Sequence, residues 1–81
     1  MKNQVNQKIN LSRRKLKAAL KKLDEAEMFY ERHDQSSDNH ALDLINLMNL
    51  KLAIASEEVT AGQRAISKAM IYGCHVILIG R

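Results

Sequence analysis

Large apolar residues return every seven positions through the first half of the chain, at Ile9, Leu16, Leu23 and Tyr30. A second row with the same spacing, Val5, Ser12, Ala19 and Ala26, is mostly small, and Leu20 widens the stripe. A recurrence of seven keeps side chains on one face of an α-helix, and small residues beside large ones let a second helix approach closely. The body of this region, from Leu11 to Glu31, is rich in Leu, Lys, Ala and Glu, all good helix formers. Its basic residues fall off the stripe. The pattern predicts a first helix over about 5–32.

The stripe stops near Arg32. Seven polar residues follow, His33-Asp34-Gln35-Ser36-Ser37-Asp38-Asn39, and such a run reads as a loop over 33–39. Ser37, Asp38 or Asn39 can each cap the next helix, and an early Asp43 suits the positive end of a helix dipole. Beyond the loop, Ala41, Ile45, Met48, Leu52, Ala55, Val59, Gly62, Ile66, Ala69, Gly73 and Val76 alternate steps of four and three with no slip of phase. Two helices joined by a turn rarely keep register. The phase therefore predicts one long helix over about 40–78, on the order of 55 Å. A break near Ser56 or Gly62 is the competing reading, because Ser56-Glu57-Glu58 also resembles a helix start.

Together these elements predict an all-α fold: a single domain over 1–81 formed as a two-helix antiparallel hairpin whose second helix is the longer. Leu44, Leu47, Leu50 and Ile54 add a further apolar face to the second helix, and the segment 69–79 is almost wholly apolar. A lone hairpin buries one stripe per helix, which is less than this chain carries. Small scaffolds without disulfides or metals gain the remainder by association. The hairpin is expected to be completed by oligomerisation or by a partner chain. The expected interface is Ile45, Met48, Leu52, Ala55, Val59, Ile66, Ala69, Tyr72 and Val76.

Composition agrees and narrows the alternatives. At 46% hydrophobic and 27% charged over 81 residues, the chain is too apolar for intrinsic disorder. It has no proline and three glycines, so little interrupts a helix. No apolar run reaches the roughly 18 residues of a membrane span, and no secretory segment follows Met1-Lys2. One cysteine, Cys74, precludes an internal disulfide framework and suits a reducing compartment, which makes a cytoplasmic location the expectation.

Charge is segregated along the chain. Residues 1–23 carry eight basic side chains and no acid, residues 24–43 carry seven acids against Arg32 alone, and the remainder holds four basic and two acidic residues. The three blocks are net +8, −6 and +2. A lengthwise dipole of this kind biases the direction in which a neighbour docks.

The inventory for catalysis is thin, and the chain is read as non-enzymatic, with no cofactor and no metal. His33 and His40 flank the loop beside Asp34 and Asp38, but their spacing matches no metal-ligand pattern. Cys74 and His75 are adjacent, so on a helix they diverge by about 100° and form no nucleophile–base pair. A buried thiol is expected at Cys74, and exposed carboxylates at Glu57 and Glu58. The basic run of the first helix opens a second class of function. Arg13, Arg14, Lys17 and Lys21 could neutralise nucleic-acid phosphates, although no aromatic side chain is interleaved among them.

The run Leu16-Lys17-Ala18-Ala19-Leu20-Lys21-Lys22-Leu23, the polar loop and the long second helix opening at Ala41-Leu42 resemble the small helical-hairpin proteins of type III secretion systems, the needle subunits and the needle co-chaperones. The resemblance covers about residues 11–66 and implies a structural subunit or co-chaperone of a secretion apparatus. The departures are the absence of proline and a first segment carrying Lys and Arg.

Overall fold

The computed structural model describes residues 2–34 and 38–78, which form helices α1 (Lys2–Asp34) and α2 (Asp38–Leu78). They pack against each other as an antiparallel hairpin. The protein is a rod, with principal extents of 65 × 12 × 11 Å. Rises of 1.5 Å per residue make α1 about 50 Å and α2 about 60 Å long.

The contact between the helices is built on small residues. Ser12, Ala19 and Ala26 are buried on α1, as are Ala55, Gly62 and Ala65 on α2. A Cβ added at Gly62 would lie 3.2 Å from Leu16 Cδ2 and 3.5 Å from the Ser12 backbone oxygen. That approach is close because neither backbone carries bulk at this level. Ser12 satisfies its own hydroxyl within α1, donating to the Ile9 carbonyl at 2.7 Å. Each step of seven down α1 is thus matched by a step of seven up α2, from Ser12 beside Gly62 to Ala26 beside Met48.

Two details differ from the sequence pattern. The large residues Ile9, Leu16, Leu23 and Tyr30 do not form the centre of the contact: they stand to one side of it and stay 37–49% exposed. The small row occupies the centre, because a pair of backbones held apart by leucines forgoes the contact that alanines permit. The helices also extend into the expected loop. Asp34 still belongs to α1 and Asp38 to α2, so His33, Asp34, Asp38 and Asn39 are helical. At the end of α1, His33 Nδ1 lies 3.3 Å from the Tyr30 carbonyl, and the two rings are 5.3 Å apart between centroids. Those contacts carry the last turn past Arg32. The remaining loop residues 35–37, Ser37 among them as a candidate cap, lie outside the described set.

α2 passes Ser56 and Gly62 without a break. Ala55 and Gly62 are both buried against α1, and a kink between them would separate one from the seam. Thr60 donates its hydroxyl to the Ser56 carbonyl at 3.0 Å, a bond that leaves the helix continuous.

Candidate functional site

The seam has two flanks, and they differ in chemistry. In a heptad, the positions on either side of the buried small row point to opposite sides of the helix pair. Because the helices are antiparallel, corresponding sides of α1 and α2 fall on the same face of the rod.

One face is ionic. Lys15 Nζ lies 3.6 Å from Glu58 Oε2, joining α1 to α2. Glu25 Oε2 lies 3.3 Å from Lys22 on its own helix and 3.5 Å from Lys51 across the seam. Burial works to raise the Glu25 carboxyl pKa, but the hydrogen bond and charge of Lys22 and the charge of Lys51 outweigh it and hold it below the ordinary carboxylate value. Leu11 and Ala18 line a shallow depression here with Arg14, Lys15 and Glu58. The lysine stems cover apolar surface while their ammonium groups reach the carboxylates.

The other face is apolar. It carries Ile9, Leu16, Leu23 and Tyr30 from α1 and Ile45, Leu52, Val59 and Ile66 from α2, with no charge at any of the eight positions. Ile45 and Val59 are half-buried; Leu52 and Ile66 are 40% and 42% exposed. Leu23, Ala26, Tyr30, Met48 and Leu52 line a depression of about 310 Å³, with Glu27 at its edge. Outside this strip sit Leu20, Leu42 and Met70, each more than half exposed. A monomer rarely leaves so continuous an apolar strip in water.

The residues expected at an interface divide between these surroundings. Ala55 is buried in the intramolecular seam, where Met48 and Ala69 are half-buried; Ile45, Leu52, Val59 and Ile66 line the apolar face. Tyr72 is half-buried toward the ionic side, and the side chain of Val76 lies outside the described set. The α2 periodicity thus merged two surfaces one heptad position apart. Ala65, buried in the seam, fell outside that pattern, and its small size beside Gly62 was the available signal.

The basic run is split as well. Lys15 and Lys22 are engaged in ion pairs on the ionic face. Arg13, Arg14, Lys17 and Lys21 are exposed, and Arg13 Nη1 donates to Asn10 Oδ1 at 3.2 Å. Heptad position turns Lys17 and Lys21 away from α2, whereas Arg14 borders the depression beside Glu58. Cys74, expected to be buried, is exposed, because its position five beyond Ala69 falls on the outer side of α2. Glu57 is exposed, whereas Glu58 is half-buried by its bond to Lys15. Among the described residues no three His, Cys, Asp or Glu side chains converge as a metal site requires. No helix among them is long and apolar enough to cross a membrane.

No protein-family model matches the chain, and comparison with curated proteins and with solved structures finds no match either.

Proposed function

We propose that the protein is a non-enzymatic protein–protein interaction module whose binding surface is the apolar face. The observation that carries this reading is the contrast at the seam. Ion pairs and alanines close the hairpin along its centre and one flank, leaving eight apolar positions on the other flank only partly covered by the chain itself. Burying apolar surface is worth about 25 cal/mol per Å², so covering this strip supplies the stability that a seam of small residues lacks.

The test is a charge placed on the strip. Val59→Asp is expected to abolish association while helix content, followed by circular dichroism, persists. Normal association of that variant would remove the apolar face from the mechanism. A structural subunit or co-chaperone of a secretion apparatus is the specific form suggested by the resemblance of residues 11–66, and open-ended growth of the assembly with concentration would favour the polymerising subunit.

A second reading rests on the exposed outer side of α1. Arg14, Lys17 and Lys21 are in no ion pair among the described residues and stand clear of the apolar face. Nucleic-acid binding through them, with Arg13, would weaken steeply as salt rises. Duplex titrations at several salt concentrations decide it: no binding at low salt ends this reading.

A further inference from the structure

We infer that the apolar face is covered by a second copy of this chain, docked with its loop at the opposite end of the rod, so that two hairpins form a closed four-helix bundle. This rests on the apolar face being the binding surface, and it names the partner and the orientation.

The first argument is area. The chain exposes 6194 Å², whereas a compact folded chain of 9.2 kDa exposes about 4,900 Å². The surplus is about 1,300 Å², and a stable interface takes about 800 Å² from each partner. The surplus is large enough for one such interface, and the exposed strip provides the apolar surface for it.

The second argument is the heptad. In a four-helix bundle each helix directs two adjacent heptad positions to the shared core, and the positions on either side meet the neighbouring helices. Here the small row and the large row of each helix are those two core positions. The flank on the ionic side is already used within the hairpin by Lys15, Glu58, Lys51 and Ala65. The remaining flank carries Asn6, Arg13, Leu20 and Glu27 on α1 and Leu42, Asn49, Ser56, Gln63 and Met70 on α2. All nine are exposed.

The third argument is the order of residues along that flank. A two-fold axis across the middle of the rod stacks α1 on α1 and α2 on α2, each antiparallel to its copy. The flank reads as self-complementary about that axis. On α1, Leu20 meets Leu20 and Arg13 meets Glu27 of the other copy, twice. On α2, Ser56 meets Ser56, Asn49 meets Gln63, and Leu42 meets Met70. The two interhelix ion pairs place Leu20 level with residues 53–56 of α2, so both helices point to one axis.

The alternative two-fold, along the rod with both loops at the same end, stacks α1 on α2. It sets Leu20 on Ser56 and Met70 on Asn6, apolar against polar at both levels, and replaces the two Arg13–Glu27 ion pairs by Arg13 on Gln63 and Glu27 on Asn49. It also lays the acidic block 24–43 on its own copy. Opposite ends lay that block against the basic block 1–23, the favourable pairing. A two-fold interface also closes on itself and leaves no free edge for further growth.

The experiment combines mass with orientation. Light scattering behind size exclusion, over a roughly tenfold concentration range, is expected to give twice the chain mass. In a Cys74→Ser background, Ser56→Cys is expected to form a disulfide-linked dimer on oxidation, and so is Leu20→Cys. Arg13→Glu is expected to weaken the dimer about tenfold or more, and Glu27→Arg in the same chain to restore it. Cross-linking only between a Leu20→Cys chain and a Ser56→Cys chain overturns the orientation, and open-ended growth overturns the closed dimer. A monomer at every concentration overturns self-pairing. If that monomer binds an apolar dye and Leu23→Asp removes the binding, the face still stands as a surface for another protein. If Leu23→Asp changes nothing, both readings fail.

Discussion

The two faces beside the seam use the same two helices and the same heptads, yet one is stitched by Lys15–Glu58 and Lys51–Glu25–Lys22 and the other carries an uncharged row on each helix, Ile9 to Tyr30 and Ile45 to Ile66 in steps of seven, with Glu27 at its edge. The ionic face does little for stability, since partly exposed pairs contribute about 0–1 kcal/mol. Its effect is directional: opposite charges meet only in the antiparallel register that places Ala19 near Ala55. The apolar face has the reverse character. Leucine and isoleucine tolerate many alignments, but their burial is worth more than an exposed ion pair. One flank therefore chooses how the hairpin closes, and the other provides the energy for what the hairpin meets.

The largest break in this contrast comes from the seam they share. Ala55→Leu forces the helices apart and is expected to cost about 1–3 kcal/mol, enough to shift a marginal hairpin largely to the unfolded state by thermal circular dichroism. A substitution that left the melting curve in place would mean that the seam is not close-packed. Next are paired changes on the flanks. Leu52→Asp on the apolar face is expected to remove association while barely changing the melting of the dissociated hairpin. Glu58→Ala on the ionic face is expected to leave association intact and lower hairpin stability by about 0.2–1 kcal/mol, less at high salt. Equal effects of both on association would erase the distinction.

The glycines give a smaller and positive effect. A Cβ at Gly73 meets nothing within 4 Å, so Gly73→Ala is expected to stabilise α2 by up to about 1 kcal/mol through helix propensity. Gly62→Ala gains the same propensity but presses on Leu16 at 3.2 Å, and its net gain is expected to be smaller; a larger gain than at Gly73 would show that Leu16 moves freely.

The smallest effect is the pH dependence at Glu25. Its folded pKa lies below the ordinary value, so its contribution is present above the unfolded carboxyl pKa, about pH 4. It is lost as pH falls through the lower folded value. Comparing acid melts of the parent and Glu25→Gln isolates it. Identical pH profiles would mean that the Lys22 and Lys51 pairs carry no linkage.

Much of this is legible in the sequence. The recurrence of Ile9, Leu16, Leu23 and Tyr30 announced α1, and the unbroken alternation from Ala41 to Gly73 announced a single α2. Both follow from local geometry, because a period near 3.5 residues is a property of one helix. The exposure of Cys74, where a buried thiol was expected, follows from the same phase, since five residues beyond Ala69 lies off the stripe; the extent of α1 past Arg32 was not legible, because it depends on contacts of His33 with Tyr30.

What the sequence by itself determined is the number of helices, their amphipathic stripes and the division of charge into a basic and an acidic block. Only the tertiary structure decided which stripe is the seam. Periodicity marks a face about 100° wide, and in this chain that face holds both a small row and a large row one position apart. The choice between them is made when two backbones meet. Alanine and glycine let them come close, the lysine–glutamate pairs align them on one side, and the leucines are left facing outward on the other.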